Sequence, residues 1–131
     1  MEDRERYERG LNKRRQALGS TYVDGTIAAR TPFTSEFQEI ITRNAWYEIW
    51  TRPHFDDRTR RILVIGTLVA LDKWDEFRLH VRAALTEGGF SADDLKEILL
   101  QQSIYCGVPA ANHAFKVAGE ILKDLDAGKA G

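Results

Sequence analysis

The run "ILVIGTLVALDK", Ile62–Lys73, decides the fold class of this chain. It is apolar around most of a helical circumference, as in a central buried helix, although its β-branched side chains would also suit a strand. The flanking stretches "DDRTRR" and "ALDKWDEF" continue the helical pattern without turn residues. A strand would therefore have to begin and end inside one helical stretch, so we predict a helix, capped at its start by Asp56 or Asp57.

Helical spacing also governs the N-terminal part of the chain. Residues 1–18 are charged and Arg-rich, which predicts a mostly exposed helix that needs a partner surface and stops at Gly19. A second helix begins at Thr34 or Ser35, where a glutamine three residues after the serine gives the spacing of a capping box, and it ends before Pro53. Its apolar residues recur at helical intervals: Phe37, Ile40, Ile41, Ala45 and Ile49.

Three further helices complete the pattern. The fourth, Trp74–Leu85, ends at a pair of glycines, and the fifth begins with Ser91 as its N-cap. Gly107 and Pro109 separate the fifth helix from the last, which we expect to run to about Leu125. The apolar residues of this last helix are Phe115, Val117, Ala118 and Ile121. With no repeat and no convincing strand, the sequence predicts an all-α bundle of about six helices.

Composition limits the class of protein. The 131 residues are 43% hydrophobic and 30% charged, which is typical of one globular domain. We take residues 1–131 as that domain, with residues 1–32 as an arm that packs in an oligomer and residues 128–131 as a flexible tail. A formal net charge of −1 lacks the excess of positive charge that binds nucleic acid or an anionic membrane, so we expect neither as a partner.

The sequence also predicts that the chain has no membrane span, no signal peptide and no disulfide. The longest apolar run, Ile62–Leu71, is too short to span a bilayer. The charged N-terminus lacks the apolar stretch of a signal peptide, so we expect a cytoplasmic protein. Because Cys106 is the lone cysteine, neither an intrachain disulfide nor a cysteine zinc site can form.

A histidine and a carboxylate lie at the border of the apolar stripe of the fourth helix. His80 lies at the edge of that stripe, and Glu76 precedes it by one turn. The carboxylate can hold one ring nitrogen and leave the other as an acid, a base or a donor to an anion. The alternative is a histidine packed at the core edge and satisfied by a backbone carbonyl, with a glutamate of ordinary surface character.

Two other kinds of chemistry are weaker possibilities. A metal site could use His80 and Glu76 with His113 or His54, but no clustered ligand spacing is present, so we predict no metal. Cys106 and His113 could form a nucleophile pair, but a helix break lies between them. A single cysteine with apolar neighbours is more often a small core residue.

Aromatic and cationic residues lie together in "RNAWYEIWTRPHF", at the end of the second helix. Trp46 with Arg43 and Arg52 offers an apolar wall and guanidinium groups, which suit a small organic anion. Gln102 and Tyr105 place polar tips at the end of an otherwise apolar helix face. The alternative is a core tryptophan with solvated arginines.

Three segments resemble one known family. "EFQEIITRNAWYEIWTRP", "EFRLHVRAAL" and "EILLQQSIYCGVPAANHAF", in this order and spacing, resemble the 4-carboxymuconolactone decarboxylases of protocatechuate breakdown. The likeness extends from about Phe33 to Ile121, although Tyr47 and His54 stand where we expect glycine. It implies an alkylhydroperoxidase D-like fold and a homo-oligomeric ring, typically a trimer or hexamer. It also implies cofactor-independent conversion of 4-carboxymuconolactone to 3-oxoadipate enol-lactone in the β-ketoadipate pathway.

The implied reaction needs few groups from the protein. Its substrate carries a C=C conjugated with the lactone carbonyl, which accepts the electrons left by CO₂, so no cofactor is needed. We assign His80 as the acid that protonates the ring, oriented by Glu76. The other roles follow by residue type: Arg43, Arg52 or Arg61 binds the retained acetate arm, Tyr105 or Gln102 donates to the lactone oxygen, and Trp46 excludes water.

The wider superfamily suggests a competing activity. The dithiol motif of alkylhydroperoxidase D-type reductases, aligned on His80, places Glu76 and Lys73 at the thiol positions and Arg61 at the glutamate position. Peroxide reduction by that route needs two sulfurs, so we disfavour it. A related lyase for another lactone or small carboxylate, and a non-catalytic helical assembly module, remain the alternatives.

Overall fold

The fold is all-α in the part of the chain that the structure describes, which confirms the predicted class. The computed structural model describes the backbone of residues 1–130 and the side chains of residues 1–128. The helices are α1 (Asp3–Leu18), α2 (Ser20–Ala28), α3 (Ser35–Ile41), a π-helix (Thr42–Ile49), α4 (Asp57–Ala70), α5 (Trp74–Thr86), α6 (Ala92–Tyr105) and α7 (Val108–Ala130). They form two compact units, residues 1–57 and the chain from Arg58 onward. No helix among the described residues is long and apolar enough to cross a membrane.

The first unit is built on the contact between α1 and the π-helix. Gly10 of α1 lies directly against the buried Thr42, and a Cβ atom at Gly10 would come within 2.2 Å of the Thr42 carbonyl oxygen. Glycine is therefore required at this crossing. The partner surface expected for the N-terminal helix is the π-helix of the same unit. Gly19, with φ 92°, ends α1 and starts α2, a helix that the sequence analysis did not include.

The start of the second helix is confirmed, because Thr34, one of the two predicted candidates, is the N-cap of α3. The capping box is wrong, since Thr34 exchanges backbone-to-hydroxyl hydrogen bonds with Thr31 instead. Phe37, Ile40 and Ile49, three residues of the predicted stripe, are exposed. Phe37 and Ile40 lie in α3, whereas Ile49 lies in the π-helix, whose i→i+5 hydrogen bonds widen the helix and move side chains away from a stripe of 3.6-residue period.

The second unit packs α4–α7 around one apolar core. The predicted stripe of α5 is confirmed, since Phe77, Val81 and Ala84 are buried. Ser91 caps α6 with a full capping box: its hydroxyl accepts from the Asp94 backbone at 3.1 Å, and its own N–H donates to the Asp94 carboxylate at 2.9 Å. Gly107, with φ 96°, separates α6 from α7 as predicted.

Three expectations for the second unit need correction. α4 is not a fully buried central helix, because only one of its faces meets the core. Its apolar residues Ile62 and Leu63 are exposed. Phe115 is also exposed, since the buried face of α7 passes through Ala114, Val117 and Ala118 instead. α7 ends at Ala130 rather than at about Leu125, while residue 131 of the expected tail lies outside the described residues.

Candidate active site

His80 is half-buried on α5 and is held neutral by its surroundings. Its pKa is lowered from the ordinary 6.5 to about 4, first by burial and then by the charge of Arg61, while the charge of Glu76 acts in the opposite direction. Desolvation and a nearby cation both disfavour the imidazolium. At neutral pH His80 is therefore an uncharged imidazole beside a fixed positive charge.

Arg61 supplies that positive charge from α4. Its side chain is only 5% exposed. It lies against Gly88 after α5, where an added Cβ would come within 2.7 Å of the Arg61 Nε. The missing side chain thus leaves room for the guanidinium arm. The predicted residues Arg61 and His80 are brought together in the second unit, and this pair can attract an anion.

Glu76 lies exposed on α5, one turn before His80. Its charge favours the protonated imidazole, but it acts less strongly on the pKa than Arg61, which opposes protonation. An exposed carboxylate is screened by water, whereas a buried guanidinium is not. The resting state of the imidazole is therefore set by burial and Arg61 rather than by Glu76.

Gln102 and Tyr105, both on α6, have different surroundings. The half-buried Gln102 donates through Nε2 to the Gly66 carbonyl at 3.1 Å and contacts the Cys106 Sγ at 3.3 Å. Tyr105 is 81% exposed. Gln102 also lines an open groove of about 420 Å³ between α4 and α6, whose other walls are Ile62, Leu63, Gly66, Thr67, Glu97, Ile98 and Gln101.

The remaining predicted ligand-binding residues belong to the first unit. The π-helix carries a half-buried Arg43 and a buried Trp46, whose ring lies 5.0 Å from that of Trp50. Arg52 is exposed just after it. Since π-helical segments occur frequently at functional sites, this segment is a reasonable place for ligand-binding groups.

The two positions where we expected glycine have contacts in the first unit. The guanidinium of Arg6 lies 5.9 Å from the centre of the Tyr47 ring, which links α1 to the π-helix. His54 is exposed, with its ring 5.2 Å from Phe55. The tyrosine therefore contributes to packing within the unit, whatever its effect on a ligand.

The structure gives the surroundings of the residues considered for a metal site and for a cysteine–histidine nucleophile pair. The described residues contain no group of three or more His, Cys, Asp or Glu side chains placed to hold a metal ion. His113 packs its ring 4.4 Å from that of Trp74, and Cys106 is half-buried beside Gln102.

One buried cation was missed by the sequence analysis. Arg14 of α1 is 6% exposed, and it lies on the same helix face as the buried Ala17 and Leu18. Their spacing of three and four residues after the arginine is the signal that could have identified it. Like Arg61, it is a guanidinium placed where water cannot solvate it fully.

The sequence of the chain from α3 to α7 matches a known family model. Residues 35–120 match the carboxymuconolactone decarboxylase family. The chain belongs to this family. All of the site residues predicted from the sequence lie inside the matched range, and the resemblance that was based on three segments is confirmed.

Individual relatives of the family agree with this assignment. The chain is 41% identical to a 4-carboxymuconolactone decarboxylase of Acinetobacter baylyi over 125 residues, which cover 95% of the chain and 92% of that relative. It is 34% identical to a nitrosuccinic acid decarboxylase of Metarhizium robertsii over 119 residues, 91% of the chain and 82% of the relative. A 4-carboxymuconolactone decarboxylase of Pseudomonas putida is 42% identical over 45 residues, 34% of the chain and 94% of the relative.

Proposed function

We propose that this protein is a carboxy-lyase that converts 4-carboxymuconolactone to 3-oxoadipate enol-lactone in protocatechuate breakdown, without a cofactor. The observation that carries the proposal is the 41% identity over 95% of the chain to a decarboxylase of that name. The pairing of a neutral imidazole with a buried guanidinium supports it, because the substrate is an anion that must gain one proton.

The substrate itself accepts the electron pair. When the C–C bond to the departing carboxylate breaks, the pair moves through the ring double bond onto the lactone oxygen and forms a dienolate. A proton then adds to the ring carbon beside the lactone carbonyl, which gives the enol-lactone. Each turnover releases CO₂ and consumes one proton, so the protein must stabilise negative charge and deliver that proton.

His80 and Arg61 are the residues that we assign to these two tasks. An incoming carboxylate near Arg61 offsets the charge that disfavours the imidazolium, so substrate binding raises the His80 pKa. His80 then takes up a proton as the substrate binds and donates it to the ring carbon. Glu76, on the same helix face, orients the ring and favours its protonated form.

The other roles are assigned from chemistry. Gln102 uses its amide N–H groups on Gly66 and Cys106, which leaves Tyr105 as our candidate donor to the lactone oxygen. Arg43 or Arg52 would bind the acetate arm, since a guanidinium fork matches a carboxylate. Trp46 would keep water from the departing carboxylate, where desolvation favours loss of charge as CO₂.

We also propose that the chain forms one functional domain that works as a cytoplasmic homo-oligomeric ring, a trimer or a hexamer, with residues 1–32 in its contacts. Large apolar side chains at the surface support assembly, including Phe33, Ile104, Tyr105 and Val108. Size-exclusion chromatography with light scattering would give the mass directly. A monomer at micromolar concentration would contradict this part of the proposal.

The activity is tested by ultraviolet absorbance of the conjugated lactone. Absorbance should fall when purified protein dialysed against EDTA is added, with no cofactor present. The variant His80→Gln should lower kcat by about 100-fold or more while the far-ultraviolet circular dichroism is unchanged. His113→Gln, an exposed imidazole to which no substrate role is assigned, is the matched control and should keep full activity.

A lyase acting on a related small carboxylate is the second candidate. It is favoured by the 34% identical nitrosuccinic acid decarboxylase and by Tyr47 and His54 at positions where we expected glycine. The two candidates are separated by measuring kcat/KM on the lactone and on nitrosuccinate. A larger value on nitrosuccinate would overturn the first proposal, and no turnover of either compound would favour a non-catalytic assembly module.

A further inference from the structure

Arg14 is a buried cation, and no carboxylate in the described part of the chain pairs with it. Its Nη1 donates to the Gln38 Oε1 at 3.1 Å, and its Nε has no hydrogen-bond partner among the described residues. Burial lowers its pKa, the nearby phenols of Tyr22 and Tyr7 oppose this, and the charge of Arg30 lowers it again. A charge removed from water is costly unless an opposite charge compensates it.

Arg30 places a second guanidinium near Arg14, close enough for its charge to act on the Arg14 pKa. It donates to the Tyr7 hydroxyl, and its Cζ lies 5.4 Å from the centre of that ring. Its Nε is also buried without a partner in the described part of the chain. Arg30 itself is half-buried and Tyr22 is exposed, so solvent reaches this cluster from their side.

The missing countercharge is specific to Arg14, because the other basic residues of α1 are paired. They form the ion pairs Arg4–Glu8, Arg6–Asp3, Arg9–Glu5, Lys13–Asp57 and Arg15–Asp24. Arg15 is the closest comparison, since it adjoins Arg14 in sequence and contacts Asp24 through two nitrogens at 3.1 and 2.9 Å. Acids of α1, α2 and α4 thus pair with the other basic residues of α1, and no acid among the described residues pairs with Arg14.

We propose that Arg14 and Arg30, with Gln38 and the two tyrosines, form a binding site for an oxyanion, namely the carboxylate of a small organic acid. Two guanidinium groups provide the fork geometry and charge that bind such a group. The rings of Tyr7 and Tyr22 suit a ligand with a carbon frame better than a strongly hydrated inorganic ion. The site lies in the first unit and does not depend on the proposed decarboxylation.

Ligand-induced stabilisation tests the site without turnover. Thermal unfolding of the full-length protein is followed at pH 7.5 with increasing succinate, with sodium chloride at matched ionic strength as the reference. We expect the wild-type Tm to rise by about 3–6 °C at a succinate concentration ten times Kd. Inorganic phosphate is a parallel titration that separates a carboxylate site from a general oxyanion site.

Matched variants assign the effect to the buried pair. Arg14→Met removes the uncompensated charge while keeping an arm of similar length, so its Tm without succinate should be no lower than that of the wild type, and the rise with succinate should disappear. Arg15→Met loses the same charge from the next residue and should keep the succinate rise. Arg30→Met should also abolish the rise.

Several results would overturn the proposal. These are a wild-type Tm that succinate does not raise beyond sodium chloride, a rise that persists in Arg14→Met, and a rise with phosphate but not with succinate. If Arg14→Met does not fold, the Arg30→Met variant decides: persistence of the rise overturns the site, and its loss supports it.

Discussion

The low pKa of His80 makes the stability of the second unit depend on pH. In the folded protein the pKa is lowered from 6.5 to about 4, so the unfolded chain binds this proton at a higher pH than the folded chain does. The stability linked to His80 is therefore complete above pH 6.5 and is lost as the pH falls toward 4. With 1.36 kcal/mol per pKa unit, this linkage lowers the free energy of unfolding by about 2–3 kcal/mol between pH 7.5 and 4.5.

The measurement is urea unfolding at fixed protein concentration and at pH 7.5, 6.5, 5.5 and 4.5, for the wild type and His80→Gln. Carboxylates also titrate toward the lower end of this range, but they are common to both proteins and cancel in the difference. The wild type should lose about 2–3 kcal/mol more than the variant, mostly below pH 6.5. His54→Gln should follow the wild type, because His54 is exposed. Parallel curves for the wild type and His80→Gln would refute the reasoning, since the imidazole would then not be held neutral.

Three further predictions concern the surroundings of this site and the two units. Arg61→Met should move the alkaline limb of the kcat/KM profile, where His80 loses the proton that it donates, up toward pH 6.5, because the charge that lowers the His80 pKa is removed. It should also raise KM about 10-fold or more, and an unmoved limb would contradict the assigned charge effect. Gly10→Ala should lower the free energy of unfolding by about 2–3 kcal/mol, because its Cβ would meet the Thr42 carbonyl oxygen at 2.2 Å. Its control is Gly25→Ala, where nothing lies within 4 Å of the new atom and urea unfolding should show no loss. Ser91→Ala should cost about 1 kcal/mol in the same assay, through loss of the α6 cap, and an unchanged midpoint would argue against the capping box.

The sequence predicts the helices of the second unit well, because their signals are local. Ser91 and Gly107 set boundaries through side-chain capping and a left-handed backbone, and both act within a few residues. The π-helix was missed because the segment was interpreted with a 3.6-residue period throughout, and its packing on α1, where Gly10 meets Thr42, joins residues that are far apart in sequence. The same limit explains why the exposure of Ile62 was not predicted, since periodicity cannot tell which apolar face of a helix meets a neighbouring helix.

In the candidate site too, features set by local spacing could be predicted from the sequence, and features set by packing could not. His80 and Glu76 could be paired from their spacing on one helix, and the family resemblance drew attention to Arg61. That Arg61 outweighs Glu76 in its effect on the imidazole follows only from its burial, which depends on packing between α4 and the end of α5. Arg14 was missed because the charged character of α1 suggested exposure, and only its spacing to Ala17 and Leu18 indicates otherwise.

The ion pairs along α1 make this helix sensitive to ionic strength. The pairs Arg4–Glu8 and Arg9–Glu5 are exposed, so each contributes only about 0.3–0.5 kcal/mol in dilute buffer. At 1 M salt the Debye length shortens to about 3 Å, which removes most of that contribution. Amide hydrogen exchange should therefore accelerate in α1 at high salt, while the apolar core around Phe77 and Leu99 keeps its protection. Electrolyte concentration thus acts as a selective control on the N-terminal segment of the enzyme.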